Sequence, residues 1–200
     1  MAAVDLDRLC STLSSVQAGK LYCLDGDISL PIPKITGMSV PEAIAAIRSS
    51  IALMSDVKER LECICAIYTC LMSNRAIGPW ILYHAPDVQE ALLDRFLLTM
   101  DAKHVPTDSL AITEERIHAC SFVPESESPT TGHDVYCFTF WTSSPCVALY
   151  KPREGYSSEV HNVLGNTLGG DPKDFERGEY FDQDVAHNVA MSLAPSSRAS

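Results

Sequence analysis

The stretch Val-Tyr-Cys-Phe-Thr-Phe-Trp-Thr-Ser-Ser-Pro-Cys-Val-Ala-Leu-Tyr-Lys-Pro, residues 135–152, constrains the fold more than any other part of the chain. Its start alternates Val135, Cys137, Thr139 and Trp141 on one side with Tyr136, Phe138 and Phe140 on the other. A sheet with one wet side alternates apolar and polar residues, so a strand apolar on both sides must be covered twice. The stretch therefore reads as two strands, 135–141 and 146–151, joined by Thr-Ser-Ser-Pro. Helices of the first half can supply one cover. The other is either a pair of short helices read near the C-terminus or a second protein chain, and the few large apolar residues of those helices favour a subunit contact.

The first half reads as helical. Residues 4–18 place Leu6, Leu9, Cys10, Leu13 and Val16 at helical spacing, with Gly19 as a stop. Asp25-Gly26 between two short apolar runs predicts a small hairpin, with Pro31 restricting its second strand to an edge. Ser39, Pro41 and Glu42 spell a capped helix over 40–54. Residues 56–73 keep Val57, Leu61, Ile64, Cys65, Tyr68, Leu71 and Met72 on one broad face, ending at Asn74. Beyond Gly78-Pro79, the run Trp80-Ile-Leu-Tyr-His-Ala is apolar on all sides, and Pro86 opens a helix to about Met100.

The second half changes character. Residues 116–123 alternate like a strand, and 124–132 form a Ser/Glu/Pro/Thr loop. With the two strands of the aromatic stretch this predicts a three-stranded antiparallel sheet. A short helix capped at Ser157 or Ser158 ends at Gly165, 165–180 is a long Gly/Asp-rich loop, and 182–193 is a last helix. The expected fold is α+β, a helix-rich N-terminal half packed with a small antiparallel sheet from the C-terminal half. It forms a single domain over 1–194, helical to about 110 and β-containing over 111–194, with a flexible tail at 195–200.

Two hundred residues, 46% hydrophobic and 20% charged, suffice for a core without covalent staples. No window offers the roughly 18 apolar residues of a membrane span, and the acidic start Met-Ala-Ala-Val-Asp-Leu-Asp does not resemble a secretion signal. Eight cysteines scattered through such a chain read as reduced thiols in the cytoplasm. The formal charge of -11 carries no Lys/Arg run, so nucleic acid is not indicated as a partner, although dispersed Arg75, Arg95, Arg116, Lys151 and Arg153 could line a groove.

Catalytic and metal signatures are weak. Cys63, Cys65 and Cys70 on one helix lack the paired spacing of a zinc site. Cys137 with His133 or His118, and Cys146 with His161, are the thiol–imidazole pairs a sheet could bring together. A strand beginning before His133 would put it about 13 Å from Cys137 along the chain. Asp184 and His187, with Asp182 or Glu179, could hold a divalent ion, but a capping role for Asp182 or Asp184 is the better reading. The Gly165-Asn-Thr-Leu-Gly-Gly segment lacks the Lys-Ser/Thr ending of a phosphate loop.

These readings predict a structural or assembly protein that associates with itself, in one version a viral coat or nucleocapsid-like subunit. No catalytic residue, cofactor or metal is expected, and Trp80, Tyr83, Phe138, Phe140 and Trp141 are the expected contact residues. A cytoplasmic enzyme with a cysteine nucleophile or a divalent ion is the alternative.

Overall fold

The computed structural model describes residues 3–27, 29–85, 92–102, 108–112, 115–124, 132–150 and 158–193. It is an α+β protein with helices concentrated in the N-terminal half and a six-stranded antiparallel sheet drawn mostly from the C-terminal half. The helices are α1 (Ala3–Ser15), α2 (Ala18–Leu21), α3 (Val40–Ala52), α4 (Val57–Ser73), α5 (Leu92–Ala102), α6 (Ser158–Leu168), α7 (Pro172–Phe175) and α8 (Gln183–Leu193). The strands are β1 (Trp80–His84), β2 (Asp108–Ile112), β3 (Arg116–Pro124), β4 (His133–Trp141), β5 (Cys146–Tyr150) and β6 (Glu176–Tyr180), in the order β2-β3-β4-β5-β1-β6. Among the described residues, no helix is long and apolar enough to cross a membrane. Residues 86–91, 125–131 and 195–200, where a helix start, a loop and a tail were expected, lie outside the described residues.

The chain groups into two compact units, with the boundary falling inside β2, β3 and β4. The first holds Met1–Ile77, Val105–Ala111 and Ala119–Cys137, and the second holds Gly78–His104, Ile112–His118 and Phe138–Ser200.

In the first unit, local sequence sets the helix limits. Ser39 and Glu42 form a reciprocal capping box at the start of α3, with Pro41 in its first turn. Asp56 caps α4 by accepting the Lys58 amide at 2.9 Å. Leu9, Leu13, Ile47, Ile51, Ile64 and Leu71 are fully buried between α1, α3 and α4, and Thr12 and Tyr68 join their hydroxyls at 3.1 Å inside that core. Asp5, 1% exposed, accepts the His133 amide at 2.7 Å and meets its Nδ1 at 3.0 Å, tying α1 to the first residue of β4.

Two expectations in this unit fail for physical reasons. The first helix stops at Ser15, because Gln17 is extended, and Gly19 sits inside α2. No hairpin forms at Asp25-Gly26. Tyr22–Gly26 is a 3-10 helix, and the Asp25 carboxylate accepts the Ile35 amide at 2.8 Å, the Thr36 amide at 2.6 Å and the Thr36 hydroxyl. A side chain that satisfies the backbone of residues 35 and 36 replaces the strand ladder a hairpin would need.

The second unit is built on β1, which lies between β5 and β6. It pairs Trp80 with Tyr150 and Leu82 with Ala148 on one side, and Trp80 with Tyr180 and Leu82 with Gly178 on the other. A register shift beside Leu82 and Tyr83 marks a bulge on the β6 side. Among the described residues the sheet thus has six strands rather than three, and the expected loop over 165–180 contains the end of α6, all of α7 and β6.

Candidate association surface

Strand β4 presents Phe138 and Phe140 to one side and Thr139 and Trp141 to the other. Phe96 of α5 covers the first pair, with ring centroids 4.6 Å from Phe138 and 5.4 Å from Phe140. Helix α8 covers the second. Gln183 Nε2 donates to Thr139 Oγ1 at 2.9 Å, and His187 lies 6.0 Å from Trp141 between ring centroids. Thr139 Oγ1 also meets His118 Nδ1 at 2.9 Å, and Arg116 pairs with Asp184 at 3.3 Å. Burial, reinforced by the Arg116 charge, pushes the His118 imidazole down to about 4.

All five aromatic residues expected to meet a second subunit are therefore buried within this chain: Trp80, Tyr83, Phe138, Phe140 and Trp141 are each at most 5% exposed. Their burial removes the reason for assigning them to a subunit contact. The second cover of β4 is α8, whose small Ala186 and Ala190 are fully buried and let the helix approach closely. Few large apolar residues are needed for a helix that seats this way.

The remaining sequence candidates are dispersed. Arg116 is 9% exposed and engages Asp184. Arg95 donates to the Asn166 carbonyl at 3.1 Å. Arg75 adopts a left-handed conformation after α4, and its carbonyl accepts from Lys20. Lys151 and Arg153 lie outside the described residues.

Cys137 meets Cys120 at 3.5 Å, and β4 does begin at His133, so His133 and Cys137 stand two pleats apart. Cys146 points at the Ala190 carbonyl, and His161 sits 3.7 Å from Asp171. Asp182 caps α8 by accepting the Asp184 amide at 2.7 Å.

The part of the surface that stands out falls in the Gly/Asp-rich segment whose composition predicts a loop. Asp171 caps α7, whose last residue, Phe175, runs directly into β6 at the edge of the sheet. The exposed residues of this strand include Glu176, Arg177 and Glu179. Phe181 follows with 81% of its surface exposed, and Val185, four residues on, is 49% exposed. The Phe181 carbonyl lies where a Cβ on Gly78 would have to go. An exposed aromatic ring is thus carried on a closely packed backbone rather than on a loose one. No family model matches the sequence, and no curated protein matches it.

Proposed function

We propose that the chain is a structural subunit that associates with a second copy of itself along the outer edge of β6, and that this association, rather than catalysis, is its work. Phe181, 81% exposed, carries the reading, since burying such a ring contributes roughly 1.5–3 kcal/mol and, among the described residues, its own unit leaves most of the ring uncovered. The segment Phe175-Glu-Arg-Gly-Glu-Tyr-Phe181 places a phenylalanine at each end and opposite charges, Arg177 and Glu179, on the two sides of Gly178. Antiparallel pairing about a twofold axis at Gly178 sets Phe181 opposite Phe175 of the second copy, Arg177 opposite Glu179, and Tyr180 opposite Glu176. Charges on an edge strand ordinarily deter pairing. Here their signs match when the strand meets its own copy, as an isologous contact requires. The eight free cysteines support a reducing, cytoplasmic setting.

Sedimentation velocity over the micromolar range tests the proposal. The expected species is a dimer that Phe181→Ser and Arg177→Glu each dissociate, while Arg177→Glu combined with Glu179→Arg restores it. A strict monomer in the unmodified protein, or a dimer indifferent to all of these changes, rules the surface out.

A further inference from the structure

The sheet brings two sulfurs into contact. Strands β3 and β4 are neighbours, and Cys120 on β3 meets Cys137 on β4 with 3.5 Å between the two Sγ atoms. Both residues belong to the first unit, and they are 1% and 0% exposed. Phe122, two residues beyond Cys120, lies 6.0 Å from His133 between ring centroids, so the same face of β3 meets the same face of β4 at both places. Strand pairing, rather than a chance rotamer, sets the meeting of the thiols.

We propose that Cys120 and Cys137 form a reversible redox pair, which a small hydroperoxide converts to a cross-strand disulfide joining β3 to β4. Facing residues of antiparallel neighbours have Cα atoms about 4.5–5.5 Å apart, inside the roughly 4.4–6.8 Å that a disulfide spans. The sulfurs need only close from 3.5 Å to a bonding distance of about 2.0 Å, a movement of side chains that leaves the strand ladder in place.

In the reaction, one sulfur attacks a peroxide oxygen as its thiolate and the O–O bond breaks. The other oxygen leaves as an alcohol, or as water from hydrogen peroxide, taking up a proton. That sulfur is oxidised to a sulfenic acid and the peroxide is reduced. The second sulfur then attacks the first, the S–O bond breaks, and hydroxide leaves with the second thiol's proton as water. A thiol reductant reverses the change by exchange and ends as its own disulfide.

Burial decides how the pair is reached. In the closed sheet both thiols are shut off from solvent, so the oxidant meets them through local opening of the strands. Once formed, the bond ties residues 121–136 into a covalent ring and limits that same opening, because a cross-link removes freedom from the opened chain.

The test incubates the native, reduced protein with hydrogen peroxide, blocks the remaining thiols in denaturant, and maps the peptides by mass spectrometry. The expected product is a disulfide between Cys120 and Cys137 that dithiothreitol reverses. Amide exchange of β3 and β4 in the oxidised protein should slow at least about tenfold relative to the reduced one, a readout that packing of two small side chains would not move. Both measurements use the unmodified protein, so neither waits on a variant that folds. Absence of that disulfide, a disulfide that pairs either cysteine with a different one, or unchanged exchange after it has formed would overturn the proposal.

Discussion

Gln183 and Thr139 share one buried hydrogen bond, 2.9 Å from the Gln183 amide to the threonine hydroxyl, and through it the first turn of α8 is fixed to the middle of β4. The same hydroxyl meets His118 on β3, so one oxygen links three elements of the second unit. Thr139→Val keeps the shape but removes the oxygen. It should cost about 1–3 kcal/mol in urea unfolding, because the Gln183 amide and the His118 nitrogen are left buried without a mate. Thr139→Ser should recover most of that loss. If valine proves neutral, this bond does not hold α8 in place.

His118 makes stability depend on pH in a defined window. Folded, it stays neutral down to about 4, because burial and then the Arg116 charge oppose protonation. Unfolded, it takes up its proton near 6.5. Between those values the unfolded chain binds the extra proton, so stability falls as pH drops from about 6.5 toward 4 and does not depend on this group above that range. The full loss is on the order of 3 kcal/mol. Comparing denaturation midpoints at pH 7.5 and 5 for the unmodified protein and His118→Gln isolates the contribution. The variant should show the flatter profile.

Phe96 packs against two phenylalanines of β4, and it is only 2% exposed. Phe96→Ala should destabilise the protein by about 3–5 kcal/mol, the cost of lost burial plus the cavity left behind. Phe96→Leu should cost distinctly less. Thermal unfolding of the three proteins side by side would show the ranking, and equal midpoints would mean that α5 does not cover this face.

Local sequence chemistry was legible wherever a side chain acts on its own neighbours. Ser39 with Glu42, Asp56 before α4, and Asp182 before α8 each satisfy nearby helix amides, and those three helices start within a residue of where the pattern puts them. Asp25 misled for the converse reason. Beside a glycine it resembles a turn, but its carboxylate reaches residues ten and eleven positions away, which no short window reveals.

Strand β1 could not be told from a buried helical turn. Trp80 to Tyr83 are all buried, so the alternation that marks a half-wet strand is missing. The proposed association surface was the least legible of all. Glu176 to Tyr180 offers no apolar alternation and carries a glycine at φ 138°, so its strand character comes from pairing with β1 and not from its composition.

The two covers of β4 also act as a lock on alignment. A slip of one residue would turn Phe138 and Phe140 toward Gln183 and the small alanines of α8, and would bring the Thr139 hydroxyl under the ring of Phe96. One face accepts only bulk and the other needs a hydroxyl at one position. The strand therefore carries its own proofreading mark, and a sliding error during folding would lose both covers at once.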